Sequence, residues 1–579
     1  PALNTLIDFA APQPGGEPLR LAFGAPRQVL AARALHEVGA VLDEVQAQAR
    51  QGRWCVGYLR YEAAPAFDPA LAVHPADGPL AWFGVHDAPL PWPAQGGPAA
   101  ARADWDAGVA RARFDSAMAA IARAIAVGEL YQLNYTTRLQ GRLDGSPRDL
   151  FEALRRAQPG GYAAFLDTGE EQLLSVSPEL FFDWDGERLL ARPMKGTAPR
   201  GATPEVDAAR AAGLRASPKE RAENVMIVDL IRNDLSRVAR PHSVQVPRLF
   251  EVQPLPSVWQ MTSDVQARTR EGVGLADVFA ALFPCGSVTG APKVQAMRRI
   301  RELEPDPRGV YCGAIGVVRP GGAARFNVPI RTVTARDGQL RCGIGSGITS
   351  DATPEGEWDE WRHKRAFVER ASQPFELLET LALEAGALRD ADAHLARLGR
   401  AAAHFGYPWP PAAQAQAHRQ LQTLAQAHPA GLWRVRLRLD ALGCLKAEAF
   451  ASSPSPERVR LQLAAAPFEH AGSEFVRFKT TRRAHYEAFA PAGEAIFDTL
   501  LWNPRGELTE CTRGNIALRL DGRWLTPALS SGLLDGVGRA RWLREGRLQE
   551  AVLRVDDVRR AQGLAFINSL RGWIKAELA

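Results

Sequence analysis

Apolar and polar residues alternate with a period of two over 131–139, directly after an alanine-rich stretch, 109–127, whose apolar residues recur at helical spacing; a helix followed by a strand is predicted there. Alternation resumes over 181–194 around Asp185-Gly186, which predicts a hairpin with a two-residue turn and a second strand ending at Lys195. Ser217-Pro218-Lys219-Glu220 joins an N-capping serine, a proline at the first helical position and a glutamate three residues after the cap, so a helix is predicted over 218–235. Thr353-Pro354-Glu355 starts another, which sets Glu357, Glu360 and Lys364 on one face. Ser372-Gln373-Pro374 then separates a polar helical stretch from a new apolar pattern at Phe375, dividing the chain into domains over 1–370 and 375–579. In the second of these, Asp521-Gly522 predicts a hairpin between 516–520 and 524–525. Strands and helices mix in both parts, and the predicted class is α+β in a two-domain chain. Proline- and glycine-rich text over 87–104, including Gly96-Gly97-Pro98, reads as a surface loop.

Composition narrows the possibilities. The 579 residues carry 70 basic and 65 acidic side chains, a net charge of +5 without long single-sign runs, which gives no reason to expect nucleic acid as a partner. No stretch approaches 18 uninterrupted apolar residues, and the first 20 residues carry Asp8 and Glu17 rather than a basic start and apolar core, so neither a membrane span nor a leader is expected. Six cysteines without CxxC spacing fit a reducing compartment, and a cytoplasmic protein is expected. Only seven lysines occur, at 195, 219, 293, 364, 446, 479 and 575. Arginine can serve wherever a surface cation suffices, but it cannot replace an amine that must lose its proton or bond to carbon.

Two helix starts offer Glu220 with Glu223 and Glu357 with Glu360, each pair aimed the same way. Four converging carboxylates would suit a hard divalent cation such as magnesium; acids in a first helical turn also complement the macrodipole, and Glu360 with Lys364 is an ordinary i,i+4 pair. Lys195, at the end of a predicted strand and followed by Gly196, can point into a cavity, where burial beside other cations would leave a free, nucleophilic amine. The plain alternative is a surface cation on a turn. Gly343 to Gly347 lacks the GxGxxG spacing and the following helix of a dinucleotide site.

These residues resemble the chorismate-utilising enzymes, and among them the aminodeoxychorismate synthase branch. The resemblance runs from Tyr131 to Lys364 through Ser177-Pro178-Glu179, Pro193 to Thr197, Lys219 to Asp234, Phe283 to Lys293, Arg308 to Gly316, Ile330-Arg331-Thr332 and Gly345 to Ile348. It implies an anthranilate synthase component I-like β-sandwich with helices. Anthranilate-forming members typically have alanine at the position of Lys195, and the aminodeoxychorismate synthases have lysine. The resemblance implies that the Lys195 amine adds to C2 of chorismate as the C4 hydroxyl leaves with a proton from Glu179, and that ammonia then enters at C4. By the same match Glu223 and Glu360 are direct Mg2+ ligands, Glu220 and Glu357 reach the metal through water, and Arg331, Tyr311, Lys364, Ser287, Gly345 and Gly347 receive the substrate's carboxylates. Gln260 stands where anthranilate-forming relatives usually have a histidine that assists pyruvate loss.

The remainder of the chain contains another isolated lysine, Lys479, about thirty residues before Glu510. An amine, a carboxylate for a pyridine nitrogen, and cations or amides for a phosphate are the ingredients of a pyridoxal phosphate site. His394 to Leu398, Lys479, Thr509-Glu510 to Asn515, Leu525-Thr526-Pro527 and Gly536 to Arg539 resemble fold-type IV pyridoxal phosphate enzymes, a group that includes aminodeoxychorismate lyase and the branched-chain and D-amino acid aminotransferases. That resemblance makes Lys479 the lysine that carries pyridoxal 5'-phosphate and the catalytic base, pairs Glu510 with the ring nitrogen, and gives the phosphate to Arg397 with the backbone amides of Val537 and Gly538. Gly538 departs from the threonine common in transaminases, and Arg571 is a candidate for a substrate carboxylate.

The expected function is bifunctional: chorismate is aminated at C4 by the first domain, and pyruvate is eliminated by the second to give p-aminobenzoate. No cysteine has the setting of a glutaminase nucleophile, so ammonia is expected from a glutamine amidotransferase partner or from solution. The rivals are an anthranilate- or salicylate-forming first domain fused to an aminotransferase, and a non-catalytic, tryptophan-responsive module.

Overall fold

The structure, a computed structural model, describes residues 3–13, 15–94, 101–201, 204–255, 258–491 and 493–579. The loop segment Gly96-Gly97-Pro98 lies outside these. Two compact units divide the chain, Pro1–Pro374 and Phe375–Ala579.

In the first unit, a nine-stranded and a ten-stranded sheet of mainly antiparallel strands face one another. Alternate apolar residues from both, among them Ile7, Phe9, Val56, Tyr58, Tyr162 and Ile315, interdigitate between the sheets. The opposite faces are covered by helices. Phe114, Leu154 and Val368 pack with Leu340, Ile344 and Ile348 on one side; Leu42, Ile227 and Phe279 pack with Phe83 and Phe326 on the other. The layers are therefore helix, sheet, sheet, helix. Strand Gln339–Ile348 shows how the pattern works: Leu340, Cys342, Ile344, Ser346 and Ile348 are buried on the helix side, while Gly343, Gly345 and Gly347 face between the sheets. Its partner, Gln132–Asp144, runs antiparallel with Gly347 opposite Asn134.

Both predicted helix starts form as capped helices. Pro218–Ser236 begins with the Ser217 hydroxyl accepting from Glu220 N, and Pro354–Ala371 with Thr353 accepting from Gly356 N. Three details differ from expectation. The hairpin of Leu180–Trp184 and Arg188–Ala191 turns on Gly186-Glu187, because the Asp185 carboxylate accepts the amides of Glu187 and Arg188 and so occupies the first turn position. The second strand of that hairpin ends at Ala191. After Arg192-Pro193 the chain re-enters the same sheet as Met194–Pro199, so Lys195 is the second residue of a new strand. Gly196, at φ +95°, makes the bulge that interrupts this strand's pairing between Met194 and Thr197.

The second unit has a four-stranded sheet built around Leu377–Glu384 and Leu432–Leu439, covered by helices Ala391–Phe405 and Pro411–Ala427. An eight-stranded mixed sheet contains Leu508–Cys511 and Asn515–Leu520. Asn515–Leu520 and Arg523–Pro527 form the predicted hairpin, with Asp521 and Gly522 both at positive φ as a type I′ turn requires. Among the described residues no helix is long and apolar enough to cross a membrane.

Candidate active sites

Glu179 occupies the corner where the chain leaves strand Gln172–Ser177 of one sheet for Leu180–Trp184 of the other. The Ser177 hydroxyl accepts from Glu179 N at 3.2 Å, and the Glu179 carbonyl accepts from Val328 N, so the corner is held on both sides. The carboxyl is buried, and its Oε1 accepts from the Ser287 hydroxyl at 2.7 Å. Burial pushes the Glu179 carboxyl up to about 7, against the opposing effects of Ser287, Lys195 and Lys364. A carboxyl in that state can give up a proton at neutral pH.

Lys195 points from its strand to the backbone of Gly347. A Cβ at Gly347 would overlap the Lys195 Nζ and come within 2.6 Å of Gln132 Nε2, so the ammonium occupies the space that a side chain would take. Carboxylates surround this amine. Glu223 Oε2 is 3.9 Å away, and Glu179, Glu220, Glu357 and Glu360 all feel its charge. Two further cations share these acids: Lys364 acts with Lys195 on Glu179, Glu357 and Glu360, and Lys219 acts with it on Glu220 and Glu360.

Those acids are near enough to perturb one another but are not gathered around a point. Burial and the neighbouring Glu223 and Glu360 raise the Glu220 carboxyl, and burial and Glu360 raise that of Glu357. Glu357 accepts from Ser346, Glu360 pairs with Lys364 at 2.7 Å, and Glu223 accepts weakly from Thr349 at 3.4 Å. Among the described residues no group of three or more His, Cys, Asp or Glu is drawn together to hold a metal ion. As a donor set, four glutamates, two of which (Glu220 and Glu357) are raised by burial and then by a neighbouring carboxylate, fit a hard divalent cation.

Lys364 donates to the Gly345 carbonyl at 2.8 Å, which joins helix Pro354–Ala371 to the glycine strand. Arg331 is held at φ +48° and has no hydrogen-bonding or ionic partner for its guanidinium among the described residues. Burial alone pushes it down to about 10, the signature of a cation whose counter-ion is missing. Tyr311 is placed differently. Its ring fills the space beside Gly343 and borders a separate cavity of about 420 Å³, whose lining includes Arg308 and Glu304 but none of Lys195, Glu179 or the four glutamates.

One residue of this pocket escapes a motif-based reading. Gln132 is fully buried, and both atoms of its amide lack partners, although it lies beside Lys195 at Gly347. An orphaned buried amide is expensive unless something polar arrives to meet it. A polar residue on the inward face of the 131–139 alternation was the available signal. Gln260 is buried opposite Thr197, two residues beyond Lys195 on the neighbouring strand.

In the second unit a cavity of about 310 Å³ lies between the two sheets and brings together Lys479, Glu510, Arg397 and Val537. Lys479 does not end a strand. It follows the short helix Glu474–Arg477 in an extended segment whose carbonyl accepts from Leu378 N at 3.0 Å. Burial, then the Arg483 and Arg397 charges, push the Lys479 amine down to about 7. Glu510 is buried and pushed up to about 7 by burial, with one oxygen accepting from Tyr486 Oη at 2.7 Å and the other from Leu534 N at 3.0 Å. Arg397 is clamped by Glu379, Nε to Oε1 at 2.8 Å and Nη2 to Oε2 at 2.6 Å, and Glu379 also bonds His394. Val537 and Gly538 open helix Val537–Arg544. A Cβ at Gly538 would meet the carbonyl carbon of Asn568 at 2.8 Å and Ser569 N at 2.9 Å, so threonine is excluded there by backbone, and Ser569 reaches the cavity instead. Arg571 also lines it, while donating to the Ser453 carbonyl at 3.1 Å. A low-pKa amine, a buried carboxyl and an arginine beside a helix start fit pyridoxal phosphate.

Comparison with known proteins agrees with this division. Residues 91–370 match the chorismate binding enzyme family, and residues 376–577 match the amino-transferase class IV family, which implies pyridoxal phosphate. Aminodeoxychorismate synthase component 1 of Klebsiella aerogenes is 41% identical over 305 residues, covering 52% of this chain and 68% of that protein. Anthranilate synthase component 1 of Streptomyces coelicolor is 40% identical over 261 residues, covering 45% and 51%, so overall identity does not separate the two activities. The chain spans about two thirds of the length of the component 1 synthases it matches first. The crystal structure of anthranilate synthase component I from Streptococcus pneumoniae shares the fold, with a TM-score of 0.51 and 24% identity, covering 63% of this chain and 92% of that one. The chain belongs to the aminodeoxychorismate synthase component 1 family of chorismate-binding enzymes, and carries a class IV aminotransferase domain after it.

Proposed function

We propose that the first unit aminates chorismate at C4 to give 4-amino-4-deoxychorismate, and that the second eliminates pyruvate from this product to give p-aminobenzoate. The observation that carries the reading is the half-buried Lys195 amine, set against Gly347 and close enough to lower Glu179, a carboxyl that burial holds at about 7. As the amine bonds to C2, the ring double bonds shift and the C4 hydroxyl departs as water with the proton of Glu179. Ammonia then bonds to C4, the double bonds shift back, and the C2 bond to Lys195 breaks. Chorismate and ammonia are consumed; aminodeoxychorismate and water are released. Direct addition of ammonia at C2 would place nitrogen ortho to the carboxylate, and the enzyme amine prevents this by occupying C2.

The partnerless guanidinium of Arg331 takes one substrate carboxylate, and Lys364, Ser287 and the backbone of Gly345 and Gly347 complete the seat. Magnesium would be held by Glu223 and Glu360, with Glu220 and Glu357 beside them, and would supply positive charge for the ring carboxylate. In the second unit pyridoxal phosphate would supply an electron sink; Lys479 would hold it and serve as the base, Glu510 would pair with its ring nitrogen, and Arg397 with the amides of Val537 and Gly538 would hold its phosphate. Ammonia comes from a glutamine amidotransferase subunit or from solution.

The reading is tested by incubating the full chain with chorismate, ammonium, Mg2+ and pyridoxal phosphate, and identifying the product by mass and retention. p-Aminobenzoate is expected; anthranilate or a hydroxybenzoate would reject it. The role of Glu179 adds a sign. Its neutral form is the working form, and burial sets the midpoint at about 7. Because the Lys195 amine titrates in both proteins, the ratio of the wild-type rate to that of Glu179→Gln isolates this group: with free ammonia held constant the ratio should fall by about tenfold per pH unit above that midpoint. A ratio that stays constant from pH 7 to 9 would remove Glu179 from the acid role.

A further inference from the structure

Strand Leu432–Leu439 carries Arg434, Arg436 and Arg438 at alternate positions, with Val435, Leu437 and Leu439 buried on the opposite face. The three cations therefore share one face of the sheet, about 7 Å apart along the strand, and like charges so arranged repel. The fold neutralises only one of them. Arg438 donates to Glu376 at 2.9 Å and to Glu448 at 3.0 Å. Glu448 is the cross-strand neighbour of Arg436, yet it is engaged by Arg438 and, at 3.1 Å, by Lys446. Among the described residues Arg436 has no carboxylate partner, and Arg434 has only the ring of Phe450, 5.2 Å from its guanidinium carbon. The position of the cavity follows this division. Arg434 and Arg436 line the cavity that holds Lys479 and Glu510, and the neutralised Arg438 does not.

The cavity's remaining charges do not answer this excess. Glu510 is its single carboxylate lining residue among those described, and both its oxygens are taken by Tyr486 and Leu534. Arg397 has Glu379. We infer that Arg434 and Arg436 select the substrate of the second unit, one guanidinium for each carboxylate of a dianion that bears two carboxylates across a six-membered ring. An α-amino acid with one carboxylate would leave one arginine unpaired. The inference rests on the pyridoxal phosphate reading of this cavity and adds to it the residues that discriminate.

The test uses the full chain loaded with pyridoxal phosphate, following the long-wavelength absorbance of the cofactor bound through Lys479, which reports only on the second unit. Benzene-1,3-dicarboxylate and benzoate are titrated as probes. The dicarboxylate should bind about 10- to 100-fold more tightly than benzoate, and Arg434→Met with Arg436→Met should abolish that preference while leaving the cofactor band intact. Arg438→Met should preserve it. Equal affinities for the two probes in the wild type, an unchanged preference in the double variant, or an equal loss in Arg438→Met would overturn the inference alone. Failure of the wild type to develop the band with pyridoxal phosphate would overturn the reading of the cavity and the inference with it.

Discussion

Lys195→Ala is expected to lower the rate of para amination by about 10³-fold or more, the scale of loss when a group that bonds to the reacting centre is removed. The geometry gives this amine no second occupation. It is tucked against the Gly347 backbone, and its nearest ionic partner, Glu223, stands at 3.9 Å, longer than a hydrogen bond. A lysine kept only for charge would be replaceable by arginine, which carries the same charge on a longer fork. Lys195→Arg is therefore the discriminating variant: it should be as inactive as alanine, because guanidinium does not lose its proton to attack carbon. Both are read by the p-aminobenzoate formed per enzyme over a range of ammonia concentrations, with Mg2+ present. Recovery in Lys195→Arg would recast Lys195 as an electrostatic anchor, and full activity in Lys195→Ala would end the covalent account.

The scarcity of lysine marked this residue, and the same argument marked Lys479. Strong local chemistry was legible in both units: Ser217-Pro218 and Thr353-Pro354 cap the helices their spacing predicts, and Asp521-Gly522 turns the hairpin it predicts. What lay beyond the sequence was the environment created by distant segments meeting. The spacing around Lys195 does not say what surrounds its amine; helices starting at Pro218 and Pro354, over a hundred residues apart in the chain, bring it four carboxylates, and Lys219 and Lys364 with them. Local turn chemistry also competed: the Asp185 side chain captured two amides and shifted the hairpin turn by one residue. Gln132 and the Arg434/Arg436 pair were hidden for another reason. Both belong to ordinary strand alternations, and only the partner accounting of the folded chain shows that their polar groups are left unmatched. Tyr311, carried over from a motif match, is set by the fold against Gly343, on the strand face that Gly345 and Gly347 share, a placement that no local pattern around Tyr311 announces.

Lys479→Ala is expected to uncouple the two halves of the chain, leaving amination within about twofold of wild type while pyruvate release falls by about 10³-fold or more. The two effects separate because Lys479 and its cavity lie wholly within Phe375–Ala579, whereas Lys195 and Glu179 lie within Pro1–Pro374. The physical reason for so large a loss is that burial, Arg483 and Arg397 together hold the Lys479 amine at about 7, so a neutral base is available at physiological pH. Arginine at 479 would restore charge and volume but no base, and should fail equally. Pyruvate is followed with a lactate dehydrogenase couple and aminodeoxychorismate by chromatography, so the variant should accumulate the second while releasing little of the first. Pyruvate release at the wild-type rate in Lys479→Ala would mean that aromatisation happens elsewhere, either in the first unit, where Gln260 stands in place of a base, or in solution. An enzyme-free control decides between these: pyruvate released at the same rate from chemically supplied aminodeoxychorismate in buffer alone places aromatisation in solution, and release only in the presence of the variant places it in the first unit.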